Sequence, residues 1–308
     1  MTTLLFSHRA CIEHDPGPYH PESPNRLRTV LSAFDRPEFA ALDRREAPRA
    51  ERSQLARVHG TAYIDKVLGA VPSSGYVRLD PDTVLSPGSG EAALRAAGAL
   101  CAAVDAVVAG EGANAFCAVR PPGHHAEPER AMGFCLFNNV AVGALHARAV
   151  HGFRRVAVVD FDVHHGNGTQ AMFEEDAGLF FASTHQWPFY PGTGAASERG
   201  VGNIVNVPLA VGSAGPEFRS AMEREILPAL AEFAPEFVFI SAGFDAHAAD
   251  PLASLELSDA DYAWATAEIA RIAAEACDGR LISTLEGGYD LAALASSCSD
   301  HVRALMAA

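Results

Sequence analysis

Two apolar runs in this chain end in residues able to hold a metal ion. The first, R-R-V-A-V-V-D-F-D-V-H-H-G-N-G-T-Q up to Gln170, carries Asp160, Asp162 and His164 at two-residue spacing directly after Val156–Val159. Alternate residues of a strand face the same side. The spacing therefore predicts two carboxylates and an imidazole emerging together at the carboxyl end of a core strand. Such a group is costly to bury unless a cation compensates it. The second run, F-V-F-I-S-A-G-F-D-A-H-A-A-D from Phe237, ends in a small-residue turn and Asp245. Alone, Asp245 would pass for an ordinary turn residue. Together, Asp162, His164 and Asp245 would supply three ligands and leave a fourth position for water and substrate, as in catalytic zinc sites. Carboxylate-rich ligation also suits iron(II), manganese or cobalt.

Two further segments add proton-transfer and hydrogen-bonding groups. A strand over Ala115–Val119 runs into R-P-P-G-H-H, which puts His124 and His125 on a stiff loop. Two imidazoles beside a metal could divide base and acid work. A lone His-His pair would be read as surface loop; its place at a strand end of the same sheet favours chemistry. The fourth segment, L-I-S-T-L-E-G-G-Y-D from Leu281, ends in Gly287 and Gly288, which allow close backbone approach, and in Tyr289. Its phenol could donate to a developing oxyanion.

These residues need a scaffold that brings strand ends together. Strand-like runs recur at Thr3–Ser7, Ala115–Val119, Arg155–Asp160, Leu179–Ser183, Ile204–Val207, Phe237–Ser241 and Leu281–Leu285. Several are apolar on both faces, as in a parallel sheet covered on both sides. Helical patterns lie between them. Glu91–Ala109 stops at Gly110, a C-cap signal, Pro216–Phe233 opens with proline, and Ser258–Cys277 opens with Ser258 and Asp261, a capping box. Alternating strands and helices predict βαβ units, with ligands beyond the carboxyl ends of the strands. The loops 14–25 and 185–203 mix aromatics and histidines with Pro and Gly, a composition frequent in functional loops.

The 308 residues are 49% hydrophobic and carry a formal charge of −15, with Lys66 the only lysine. A negative field disfavours nucleic acid and suits a cationic substrate or product. The six cysteines form no C-x-x-C pair and lie mostly in apolar stretches, which argues against a disulfide framework or a thiolate zinc site. With no basic leader and no apolar stretch of about 20 residues, a cytoplasmic protein with no membrane partner is expected.

As a set, R-P-P-G-H-H-A, G-F-C-x-x-N-N, V-D-x-D-V-H-H-G-N-G-T-Q, P-G-T-G, S-A-G-F-D and E-G-G-Y resemble the histone deacetylase superfamily, including acetylpolyamine amidohydrolases, across nearly the whole chain. H-P-E-S-P-N-R and E-G-G-Y look closer to its class II branch. The resemblance implies one catalytic domain over 1–308, with an α/β, arginase/deacetylase-like three-layer fold whose eight-stranded, mostly parallel sheet is flanked by helices. It implies one zinc on Asp162, His164 and Asp245, His124 and His125 as the proton-transfer pair, with His124 taking the water proton, and Tyr289 polarising the carbonyl. Asp160 matches the acid that holds the first histidine. Asn167 stands where some branches carry a second acid, which should leave His125 less firmly oriented and less basic. Phe134 and Tyr190 match the walls of an acyl-lysine tunnel, with Gly133, His20 and Leu252 as further substrate contacts and Tyr190 where many relatives have Phe. A structural potassium is implied near Asp160 and Ser183. Leu252 stands where acetylpolyamine-selective relatives carry a glutamate, which favours acyl-lysine over acetylpolyamine. An arginase-type hydrolase with two manganese ions and a non-catalytic binding homologue are the competing readings. Homo-oligomers occur among such relatives.

Overall fold

The computed structural model describes residues 2–308. Its strands are β1 (Thr3–Ser7), β2 (Asp43–Glu46), β3 (Val77–Arg78), β4 (Val84–Leu85), β5 (Asn114–Cys117), β6 (Val156–Asp160), β7 (Leu179–Gln186), β8 (Ile204–Leu209), β9 (Phe237–Ala242) and β10 (Leu281–Leu285). One sheet has eight strands in the order β2-β1-β5-β10-β9-β6-β7-β8. Every neighbouring pair in it runs parallel. The sheet is thus wholly parallel among the described residues, where a mostly parallel one was expected. β3 and β4 form a separate antiparallel ribbon.

The four central strands β5, β10, β9 and β6 are buried at every position. Their side chains meet helices on both faces, so both faces must be apolar. Helices Ser89–Val108 and Asn139–His151 pack on each other, as do Asp259–Cys277 and Leu291–Ala307. No helix among the described residues is long and apolar enough to cross a membrane. All six cysteines are buried and free.

The elements differ from the expected ones where local signals are weak. β2 was not expected: its D-R-R-E sequence has no apolar face, and as an edge strand it needs none. β7 runs three residues past Ser183, to Gln186. The helix expected over Pro216–Phe233 breaks into Gly215–Ala221, a π-turn at Met222–Ile226 and Leu227–Phe233. Pro228 lacks the N–H that an unbroken α-helix would use there. At the expected capping box the Asp261 half is formed: Ser258 Oγ and N both donate to Asp261 Oδ2, at 2.7 and 3.0 Å.

Candidate active site

The adjacent strands β5, β10, β9 and β6 point their carboxyl ends the same way, and each extends into one of the four chemistry-bearing segments. At the end of β6 the local geometry differs from the expected strand alternation. Only Asp160 belongs to the strand; Asp162 and His164 lie beyond it. Asp160 Oδ1 accepts from Asp162 N at 3.0 Å, and Asp162 Oδ1 accepts from His164 N at 2.9 Å. Each aspartate thus bonds the backbone two residues on. These two successive turns, rather than strand alternation, bring the side chains together.

Asp162, His164 and Asp245 each place a donor atom within 4.8 Å of the others; the two aspartates are buried, and the His164 side chain is 11% exposed. His164 Nδ1 lies 3.1 Å from Asp162 Oδ1 and 3.2 Å from Asp245 Oδ2. Burial works to lower the His164 pKa, yet its bonds to the two carboxylates carry it up to about 10. The pair therefore stabilises positive charge at this spot. Two carboxylates and an imidazole with one side open fit a zinc ion. Gly287 N donates to Asp162 Oδ2 at 2.8 Å. A Cβ on Gly287 would sit 2.1 Å from Asp245 Oδ2, so only glycine allows this approach.

The rings of His124 and His125 lie against each other with centroids 4.0 Å apart and planes tilted by 42°. His124 Nδ1 is 2.9 Å from Asp160 Oδ2, and its Nε2 is 3.8 Å from Asp162 Oδ2. Burial pulls its pKa down, but Asp162 and Asp160 together raise it well above the usual imidazole range. His125 goes the other way: burial, then the positive charge of His124 and His164, push it well below. Its Nδ1 meets Asn167 Oδ1 at 2.8 Å, and Asn167 Nδ2 donates to Glu127 Oε1 at 2.8 Å. With Glu127 accepting from the amide nitrogen, Asn167 Oδ1 faces His125 and Nδ1 carries the proton.

Tyr289 is held by residues whose roles the linear sequence did not reveal. Arg26 Nε donates to Gly288 O at 2.6 Å and Nη2 to Glu286 O at 2.5 Å. The guanidinium carbon also lies 4.9 Å from the centre of the Tyr289 ring. Arg26 and Arg120 both bind Glu22, and all three are fully buried. Glu286 Oε2 accepts from Gly123 N at 2.6 Å and His124 N at 3.2 Å, tying the tyrosine loop to the histidine loop. Glu22 and Arg26 belong to H-P-E-S-P-N-R, Arg120 to R-P-P-G-H-H and Glu286 to E-G-G-Y. The motifs were visible, but their mutual contacts depend on the fold.

A narrow cavity of about 90 Å³ opens beside the metal-ligand cluster, lined by Asp82, His125, Gly133, Phe134, His164, Tyr190, Leu252 and Tyr289. Of the expected substrate contacts, Gly133, Phe134, Tyr190 and Leu252 are on its wall. His20 lies behind it, its ring edge-on to Phe134 with centroids 4.8 Å apart. Phe134 has φ +67°, and a Cβ on Gly133 would lie 2.3 Å from the His125 ring. The wall thus presses directly on the second histidine. Asp82 was not anticipated; its carboxylate accepts from Gly133 N at 3.1 Å.

Asp160 and Ser183 face each other in register on β6 and β7. Ser183 Oγ is 2.9 Å from His185 Nδ1, and both Asp160 oxygens have protein partners. Each of these oxygens carries more than one lone pair, so the hydrogen bonds leave them able to share a potassium ion. A second histidine cluster joins His146 Nε2 and His151 Nε2 to Asp105 Oδ1 at 2.8 and 2.7 Å. Arg57 Nη1 lies 2.8 Å from His146 Nδ1. A guanidinium only donates, so Nδ1 accepts and Nε2 keeps its proton. This is a hydrogen-bonded chain, not a ligand set.

A parallel α/β sheet that converges two carboxylates, three imidazoles and a phenol on one narrow cavity defines an amide hydrolase of the deacetylase type. The chain belongs to the histone deacetylase domain family, whose sequence model matches residues 20–305. It is 40% identical to the histone deacetylase-like amidohydrolase of Pseudomonas aeruginosa, over 93% of this chain and 81% of that protein. It is 39% identical to the chloroplastic histone deacetylase 14 of Arabidopsis thaliana, over 98% of this chain and 76% of that one. The crystal structure of the HDA15 HD domain superposes with a TM-score of 0.94 at 34% identity, covering 99% of this chain and 88% of that one.

Proposed function

We propose that the chain uses one zinc ion to remove acyl groups from amines, with acyl-lysine side chains as its main substrate class. The observation that carries this is the convergence of Asp162, His164 and Asp245 within 4.8 Å beside the cavity lined by His125 and Tyr289. Bound zinc would polarise the amide carbonyl and acidify water. The protein's own groups do the rest. His125, neutral and with Nδ1–H committed to Asn167, has only Nε2 free to accept the water proton. His124, held between Asp160 and Asp162, favours the charged state. The first proton step therefore moves here from His124 to His125. Once protonated, His125 can return that proton to the leaving amine. Tyr289 donates to the carbonyl oxygen as its charge develops. Phe134, Tyr190 and Leu252 confine a linear aliphatic chain and exclude water. A potassium ion beside Asp160 and Ser183 completes the proposal.

Leu252 puts an apolar side chain on the cavity wall, which suits the lysine methylenes. Asp82 on the same wall favours a second reading, an acetylpolyamine whose free ammonium meets that carboxylate. A kinetic panel of acetyl-lysine and trifluoroacetyl-lysine peptides, acetylputrescine and acetylspermidine, run with metal analysis, tests both. Highest kcat/KM on the peptides with one zinc per chain supports the first. Preference for the polyamines supports the second, and two manganese ions or no turnover overturns both.

A further inference from the structure

We infer that Asp250 is a positioning residue for the reaction, one carboxylate that sets Tyr289 and Leu252 at a fixed separation across the cavity. This rests on the role proposed for Tyr289 as donor to the carbonyl oxygen. Asp250 lies beyond β9, five residues past Asp245, and is 8% exposed. Its Oδ2 accepts from Tyr289 N at 2.7 Å and from Asp290 N at 3.4 Å. Its Oδ1 accepts from Leu252 N at 3.0 Å. Leu252 and Tyr289 both line the cavity. The carboxylate thus bridges the loop after β9 to the loop after β10, at the two residues facing the substrate chain.

The arrangement needs an acceptor on both sides. A carboxylate has two oxygens and no proton to place, so it can take N–H groups from opposite directions. An amide cannot. If Asn stood here, its Nδ2 would face either the Tyr289 N–H or the Leu252 N–H, leaving two donors in opposition. The tyrosine backbone is pinned on its other side as well, since Arg26 holds Gly288 O at 2.6 Å. With both flanking bonds in place, the Tyr289 backbone has little freedom, and its side chain leaves from a defined point. Burial, with Asp245 nearby, pushes the Asp250 carboxyl up, while the N–H bonds from Leu252, Tyr289 and Asp290 pull it back and favour the charged form. The fold therefore accepts the expense of a buried carboxylate with no cation among its bonding partners. Its three N–H donors offset that expense, and two of them belong to cavity-lining residues.

The test is a double-mutant cycle between Asp250→Asn and Tyr289→Phe in the full-length zinc-loaded chain, with a trifluoroacetyl-lysine peptide as substrate. Acting through Tyr289, Asp250→Asn lowers kcat on the order of 10- to 100-fold, the scale of a misplaced catalytic group. KM and zinc content stay nearly constant. In the Tyr289→Phe background the same substitution lowers kcat by less than about twofold, because coupled groups are non-additive. Equal losses in both backgrounds, or an unchanged kcat in Asp250→Asn, overturn the role. If Asp250→Asn does not fold, Asp250→Glu keeps the charge but displaces it, and the same non-additivity is required of it. A zinc-loaded parent that hydrolyses no acyl amide defeats the proposed function itself, whatever the cycle shows.

Discussion

The Nδ1 of His125 lies 2.8 Å from the amide oxygen of Asn167, whereas the Nδ1 of His124 lies 2.9 Å from a carboxylate oxygen of Asp160. Two adjacent imidazoles thus have partners of unequal charge. Behind Asn167 stands Glu127, one hydrogen bond further from His125.

This asymmetry can be reversed. A carboxylate beside an imidazole favours its charged form. The double substitution Asn167→Asp with Glu127→Gln avoids setting two acids together and should move the acid limb of kcat/KM upward by about one pH unit. A pH profile unchanged from the parent would remove the assignment of His125 as the proton acceptor.

Tyr289→Phe removes only a hydroxyl. Loss of one oxyanion donor costs about 10²–10³ in kcat, while zinc content should equal that of the parent. Steady-state kinetics and metal analysis on one preparation check both halves.

Gly287→Ala should damage the metal site without replacing a ligand, since the added methyl would lie 2.1 Å from Asp245 Oδ2 and 2.5 Å from Asp162 Oδ2. Zinc affinity should fall. The rise in thermal midpoint that zinc gives the parent should shrink with it, because a ligand that binds only the folded state stabilises it. Calorimetric melting with and without zinc is the measurement.

Leu252→Glu should change substrate preference. A carboxylate on the cavity wall, alongside Asp82, should raise kcat/KM for acetylspermidine relative to an acetyl-lysine peptide. An unchanged ratio would mean that Leu252 does not set selectivity.

Stability should carry an acid limb from the core. His301 is fully buried between Thr266 Oγ1 and Ser283 Oγ, at 2.6 and 2.8 Å, and burial lowers its pKa from 6.5 to about 3. The unfolded chain then binds a proton that the folded one refuses, so folding loses stability as pH falls from 6.5 towards 3. Each unit of depression is worth about 1.4 kcal/mol. His301→Asn should flatten this part of the stability–pH curve, as read from denaturant midpoints.

Much of the site was legible because its residues come directly after apolar strands. Val156–Val159 announces Asp160, Asp162 and His164, and Phe237–Ala242 does the same for Asp245. What escaped were groups whose meaning depends on a partner far along the chain. Arg26 reaches Gly288 across 262 positions, and Arg120 reaches Glu22 across 98. No local pattern encodes such a pair. The spacing of Asp160, Asp162 and His164 led to the right cluster through the wrong local geometry, since side-chain-to-backbone turns, not strand pleating, fold it inward. β2 escaped because an edge strand of charged residues has no hydrophobic period.

Among the described residues β10 comes last of the sheet's strands in sequence order, yet it lies inside the sheet, between β5 and β9. During synthesis the earlier strands must leave a gap, or re-open one, for residues 281–285. Gly287 and Tyr289 ride on that final insertion, so a ribosome-bound chain that stops short of them carries an incomplete site. Closing the sheet across such sequence distances is entropically slow, and hydrolytic competence should wait for that closure.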